Sequence, residues 1–179
     1  MDLFTPLKLG ALKLRNRVVM APMTRSRASE DGLPTDIMVD YYSQRATAGL
    51  IISEGIAPSA DGRGYCRTPG IYNEEQVEAW ARVTDAVHEK GGCMVAQLMH
   101  VGRVANVLNK EPGSETVAPS AIRARGDMYT DLPAFQPFDE PRALALNEIV
   151  LLLASYQRAT EHAFYAGVIC AQLPRITCS

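Results

Sequence analysis

Four short apolar runs, at residues 17–21, 49–53, 93–98 and 167–171, recur along the chain with helical patterns between them. This alternation limits the fold more than any other feature. A strand covered on both faces needs such a run, because neither side of its pleat meets water. The spacing predicts a helix over 35–47, capped by Thr35, stopped by Gly49 and carrying Ile37, Tyr41 and Tyr42 on one side. Asn73 and Gln76 have the spacing of a capping box, and Val77, Trp80, Ala81, Thr84 and Val87 then form a face that ends at Gly91-Gly92. A third helix begins near Asn147, places Ile149, Leu152, Leu153, Tyr156, Thr160 and Ala163 at helical spacing, and ends at Gly167. Strands and helices in strict alternation predict parallel βαβ units, either an open doubly wound sheet or part of a (β/α) barrel.

The connections narrow that choice. A dinucleotide fold opens its first helix with G-x-G-x-x-G, whereas the first strand here runs into A-P-M-T-R-S-R, which has no glycine. Gly62-Arg63-Gly64 is the one G-x-G, lies in mid-loop and lacks a third glycine, so a turn role is expected. The stretches 56–72 and 99–145 are too long for plain turns, and both follow strand ends, where barrel enzymes build their sites. Before the first strand, Leu7 and Leu9 lead into Gly10-Ala11, and Leu12 and Leu14 follow. That is a two-residue hairpin whose turn needs a positive φ at glycine.

Composition excludes several function classes. The 179 residues are 47% hydrophobic with a net charge of −2, so nothing calls for nucleic acid or an anionic membrane as partner. Six basic residues among the first 27, against Asp2 alone, are expected to form a solvated face. Cysteines at 66, 93, 170 and 178 form no C-x-x-C, and histidines at 88, 100 and 162 form no H-E-x-x-H, so no metal site is expected. The longest apolar stretch, 149–154, is far short of a membrane span, and no signal segment opens the chain. A reduced, cytoplasmic protein is the expectation.

Six motifs then fall in register: L-F-T-P-L-K-L-G at 3–10, L-R-N-R-V-V-M-A-P-M-T-R at 14–25, G-L-I-I-S-E-G at 49–55, G-Y-x-x-x-P-G at 64–70, W-x-x-V-T-x-A-V-H at 80–88 and V-A-Q-L-M-H-V-G-R at 95–103. Together they resemble the old yellow enzyme family of flavin-dependent ene-reductases over nearly all of residues 1–167. The resemblance implies a (β/α)8 TIM barrel with an N-terminal β-hairpin closing its bottom and non-covalent FMN across its top. It also implies the chemistry: NAD(P)H as reductant, hydride passed through flavin to the β-carbon of an α,β-unsaturated carbonyl compound, and a protein acid protonating the α-carbon. The substrate class is a small-molecule enone.

On this resemblance Ala21, Pro22 and Met23 support the flavin ring, and Thr24 offers a hydroxyl to the carbonyl beside the reactive nitrogen. Threonine there places the chain with the larger, classical branch. Gly55 lets backbone approach the ring edge, and the Gln97 carboxamide, with both donor and acceptor, suits the pyrimidine edge. Read without the family, A-P-M-T is a strand end and turn, Gly55 a turn glycine, and Gln97 a buried amide paired with backbone. Tyr65 and Met99 stand on the substrate side, where Met99 can equally be packing. His100 and Arg103 are expected to anchor a loop, and no residue is assigned to catalysis.

Family members run to roughly twice this length, as an eight-stranded barrel of ~250 residues or more requires. One incomplete barrel domain is therefore expected: a hairpin cap over 1–16, family-like elements over 17–167 and an atypical tail over 168–179, truncated after about strand four. After that strand the family places a His-x-x-Asn or His-x-x-His pair, and the tail reads V-I-C-A-Q-L-P-R-I-T-C-S instead. FMN binding weakened by the lost phosphate loop, and little activity in the chain alone, are the consequences. Two other readings stand beside it. One is a non-catalytic half barrel that self-associates, or pairs with another half, through exposed strand edges. The other is a flavin-free barrel enzyme, against which Thr24 and Gln97 argue.

Overall fold

Gly10, at φ +59°, turns the chain between β1 (Leu7–Leu9) and β2 (Leu12–Leu14), which pair antiparallel with Leu9 opposite Leu12. Only glycine takes that dihedral without strain, so the hairpin forms where the sequence puts it. The computed structural model describes residues 2–131, 134–169 and 171–172. After the hairpin come β3 (Val19–Met20), α1 (Asp36–Ser43), β4 (Leu50–Ile56), α2 (Glu74–Glu89) and β5 (Met94–Leu98). The long connection that follows holds β6 (Val117–Ala118), the hairpin of β7 (Asp127–Thr130) and β8 (Ala134–Pro137), and β9 (Arg142–Ala143), before α3 (Leu146–Tyr165) and β10 (Ala171–Gln172).

β3, β4, β5 and β10 form one parallel sheet in the order β10-β5-β4-β3. The sheet is an open layer, with β3 and β10 at its edges. Its two faces are separate cores, as the period of two along a strand demands. On one face Ile51, Met94, Ala96 and Leu98 pack against Met38 and Tyr42 of α1, Trp80, Val83 and Val87 of α2, and Ala159 and Ala163 of α3. On the other, Leu50, Ile52, Cys93 and Val95 meet Leu7, Leu12 and Leu14 of the hairpin, which therefore plugs the N-terminal end of the sheet. Among the described residues no helix is long and apolar enough to cross a membrane.

The helices depart from the sequence reading in their faces. α1 ends at Ser43 rather than near 47, and it is turned so that Met38 and Tyr42 are buried while Ile37 faces solvent. Thr35 stands at its N-cap position, yet its hydroxyl donates to the Arg27 carbonyl at 2.7 Å and caps nothing. Asn73 does cap α2, accepting from the Gln76 amide at 2.8 Å. The reciprocal half of the box is absent, because Gln76 Oε1 takes the Tyr72 amide and Nε2 donates to the Asp31 carbonyl. In α3 only Ala159 and Ala163 are buried, while Ile149, Val150, Leu151 and Leu153 lie exposed. The runs at 17–21 and 93–98 become the shorter strands β3 and β5, the run at 167–171 leads into β10 at Ala171–Gln172, and most of the tail from 168 to 179 lies outside the described residues.

Candidate functional site

β4 and β5 lose step once. Ile52 lies opposite Val95 and Gly55 opposite Gln97, so β4 has two residues, Ser53 and Glu54, where β5 has only Ala96. This is a β-bulge, a device that re-aims side chains near strand ends. Leu50 and Ile52 share the hairpin-side face, and without the bulge Glu54 would follow them. Instead Glu54 turns to the helix layer, and Gly55 takes the place beside Gln97.

The two residues of the bulge are fully buried and hydrogen-bonded. Ser53 Oγ accepts the Gln97 amide at 3.0 Å and donates to the Glu54 carbonyl at 2.7 Å. Tyr42 donates its hydroxyl to Glu54 Oε1 at 3.2 Å, and the Glu54 amide donates to the Tyr42 hydroxyl oxygen at 2.8 Å. The Arg25 amide donates to Glu54 Oε2 at 3.3 Å. Burial pushes the Glu54 carboxyl up to about 7, against the opposing pull of the Arg25 amide, the Tyr42 hydroxyl and the Arg25 charge. Burial likewise raises Tyr42 well above the ordinary phenol range, with the Glu54 charge adding to it.

The bond from Arg25 to Glu54 brings the segment after β3 to the C-terminal end of β4, one residue from Gly55. Ala21, Met23 and Thr24 on that segment are exposed, Pro22 is half-buried, and the Thr24 hydroxyl has no hydrogen-bond partner among the described residues. Gln97 continues the face of Cys93 and Val95, away from the helix layer. Gln97 is half-buried, and its carboxamide has no hydrogen-bond partner among the described residues, so both its donor and its acceptor remain available. Ala21, Pro22, Met23, Thr24, Gly55 and Gln97 thus stand at the C-terminal ends of three adjacent strands, where parallel α/β sheets bind ligands.

The resemblance has Gly55 leave room for a ring edge; here a Cβ on Gly55 would lie 2.5 Å from Met99 Cε, so the Met99 side chain packs over it. Met99 is therefore part of the same spot as Gly55 and Gln97. Tyr65 stands on the surface of the connection after β4, beside Gly64, whose missing Cβ admits Val101 and Ala105. His100 anchors its loop as expected: its amide donates to the Tyr156 hydroxyl, and Nδ1 accepts the Gly102 amide, both at 3.0 Å. Burial, aided by the Lys110 charge, lowers its imidazole to about 4. Arg63 of the G-x-G is buried, pairing with Glu111 at 3.3 Å and donating to the Glu30 carbonyl at 2.8 Å, which is a loop-fastening role.

Sequence reasoning passes over Ser53, Glu54 and Tyr42. The available signal is an acidic residue closing an apolar run in G-L-I-I-S-E-G, which a continuous buried strand does not explain. A flat ring with polar edges fits what the site offers: exposed small and apolar groups at 21–23, a free hydroxyl and a free carboxamide.

Residues 2–169 match the family described as NADH:flavin oxidoreductase / NADH oxidase. Among curated proteins the chain is 46% identical over 169 residues to "Chanoclavine-I aldehyde reductase fgaOx3" of Penicillium roqueforti, covering 92% of this chain and 43% of that protein. It is 40% identical over 168 residues to "12-oxophytodienoate reductase 7" of Oryza sativa subsp. japonica, covering 92% and 42%. Among solved structures, the old yellow enzyme homologue from Zymomonas mobilis superposes with a TM-score of 0.91 at 46% identity, over 97% of this chain and 48% of that one. Morphinone reductase superposes at 0.90 and 44%, over 96% and 47%. The chain spans about half the length of these relatives, and its open sheet corresponds to half of their TIM barrel.

Proposed function

Because this chain belongs to the NADH:flavin oxidoreductase / NADH oxidase family, we propose that it carries the flavin-facing half of an FMN-dependent ene-reductase that reduces the C=C bond of α,β-unsaturated carbonyl compounds at the expense of NAD(P)H. The observation that carries this reading is the Gln97 carboxamide. It lies opposite Gly55 at a strand end, on the face away from the helices, and has no partner among the described residues. A half-buried amide left free within the protein suits an external ligand with both a donor and an acceptor, as the pyrimidine edge of a flavin has.

FMN, when bound, supplies the two-electron transfer between nicotinamide and substrate. The chain's own residues bind and orient. Ala21, Pro22 and Met23 would lie against the ring, Thr24 would donate to the carbonyl beside its reactive nitrogen, Gln97 would pair with the pyrimidine edge, and Met99 and Tyr65 would bound the substrate side. Binding is non-covalent. The reduced cytoplasm is the compartment that suits Cys66 and Cys93, which are free thiols. Titrating the purified chain into FMN while following flavin fluorescence tests the reading: quenching that saturates, and that weakens in Gln97→Ala, is expected. No saturable quenching at any attainable protein concentration would overturn it.

A second reading has its own support. Leu146, Val150 and Leu153 lie on one face of α3 at helical spacing and are each well over half exposed. A non-catalytic half barrel that associates through such a face and through its open strand edges is the alternative; a colourless dimer after purification would favour it.

A further inference from the structure

The bond between Arg25 and Glu54 ties the segment after β3 to the sheet through one side chain. Glu54 is fully buried, and its two oxygens are each met by a donor: Tyr42 Oη on Oε1 and the Arg25 backbone amide on Oε2. The residue just before Arg25 is Thr24, whose hydroxyl has no partner among the described residues. The bulge that sets Gly55 beside Gln97 is also what aims Glu54 at these two donors. We propose that Glu54 is a positioning residue, a latch whose carboxylate holds the Thr24–Arg25 backbone against the end of β4 and which releases that segment when it takes up a proton.

The hydrogen-bond inventory gives the reason. An ionised carboxylate accepts at both oxygens, whereas a carboxylic acid turns one of them into a donor. If Oε2 takes the proton, it confronts the Arg25 amide, which cannot rotate away. If Oε1 takes it, the Tyr42 hydroxyl must turn and abandon its own bond, although its oxygen already accepts the Glu54 amide. With the proton on Oε2 the Arg25 amide loses its acceptor, and with it on Oε1 the Tyr42 hydroxyl does; the amide at the open end of the sheet gives way more easily than the phenol locked among Tyr41 and Trp80, so release of the segment is the outcome.

The charged and titratable groups facing the carboxylate are few. From α1 there is Tyr42, with Tyr41 behind it; from the segment after β3 there is the Arg25 guanidinium, which lies 5.3 Å from the Tyr41 ring centre. β5 contributes the uncharged Gln97, and α2 the indole of Trp80 against Tyr42. Burial dominates and brings the proton equilibrium to about 7, inside the working range of pH. The consequence for ligand binding rests on the flavin reading of residues 21–24; the latch itself does not.

The experiment is an NMR titration of the uniformly 15N-labelled, full 179-residue chain from pH 5 to 9. The Arg25 amide is expected to shift with one midpoint near 7 in the wild type, to stay flat in Glu54→Gln, and to titrate at a higher midpoint in Tyr42→Phe, which removes one stabilising donor. Tyr42→Phe also decides the matter should Glu54→Gln fail to fold. Riboflavin, which carries no titrating phosphate, is the ligand probe: fluorescence quenching should report about fivefold to tenfold weaker binding at pH 5.5 than at 8.5, and no such ratio in Glu54→Gln. An Arg25 amide that ignores pH over this range, or that titrates unchanged in both variants, would overturn the latch. A titrating amide with pH-independent riboflavin affinity would overturn its link to the ligand. Absence of riboflavin binding at both pH values would count against the flavin reading, with the amide titration still judging the latch.

Discussion

The backbone amide of Gln97 donates to the hydroxyl of Ser53 across 3.0 Å. A side chain thus stands at the point where the β4–β5 ladder changes step, and it keeps the buried amide satisfied while two residues face one. Replacing Ser53, which is fully buried, by Ala takes the acceptor away from the Gln97 amide. The expected cost is about 1–3 kcal/mol, the desolvation penalty of an orphaned buried donor. Urea unfolding should show it as a lower midpoint with unchanged slope.

Gln97 itself should matter to a ligand and not to the fold. Its carboxamide makes no bond within the described residues, so Gln97→Leu is expected to leave the unfolding midpoint within about 0.5 kcal/mol of wild type. Flavin affinity should drop on the order of thirtyfold, the loss of two hydrogen bonds of about 1 kcal/mol each. A variant that unfolds early while binding flavin normally would reassign Gln97 to the core.

Stability should fall as pH rises through the Glu54 transition. The folded carboxyl titrates at about 7 against 4.5 for a glutamate in water, so between these values the native state holds a proton that the unfolded chain has lost. The stabilisation is complete below 4.5, declines as pH rises to 7, and amounts to on the order of 3 kcal/mol. His100 works in the opposite sense: its folded imidazole titrates at about 4 against 6.5, so its contribution is full above 6.5 and is lost as pH falls toward 4. The wild type alone mixes the two. Unfolding free energies of wild type minus Glu54→Gln, measured from pH 5 to 8, isolate the first and should decrease steadily.

What the sequence discloses is what local chemistry decides. Gly10 dictates the hairpin, Asn73 caps α2, and the apolar runs become the four strands of one parallel sheet. The side of α1 is different: Ile37 and Met38 are neighbours with similar appetites for burial, and the position of β4 and Trp80 selects Met38. The bulge is also silent in the sequence, since it exists only in the pairing of β4 with β5. Thr24, Gly55 and Gln97 are legible through motif order, while Glu54 is hidden because its partners, Arg25 and Tyr42, lie 29 and 12 residues away.

α3 gives an association prediction. Leu146, Val150 and Leu153 form an exposed apolar face that no described residue covers. Sedimentation velocity of the purified chain should reveal concentration-dependent association, and the double substitution Val150→Glu, Leu153→Glu should shift it toward monomer without changing the circular dichroism. A wild type that sediments as a monomer at high concentration would remove the support for association through this helix.

Turnover by the chain alone is expected to be small even where flavin binds. Reduction of an enone needs donors on the carbonyl oxygen as charge develops there, and an acid placed to deliver the proton to the α-carbon. Glu54 is buried toward the helix layer with a donor on each oxygen, so among the described residues the polar groups left to serve at the open strand ends are Thr24, Gln97 and His100. Thr24 and Gln97 are committed to the ring in the flavin reading. His100, at about 4, is neutral at pH 7, and its Nδ1 already accepts the Gly102 amide, so it is poorly suited to be the acid. Losing one oxyanion donor costs about 10²–10³ in rate, and the absence of a placed acid multiplies that. The purified chain with FMN, NADPH and cyclohexenone should therefore run at least about 10³-fold below a full-length ene-reductase under the same conditions. A rate near that of the full-length enzyme would show that these residues, or a second copy of the chain, supply the oxyanion donors and the acid after all.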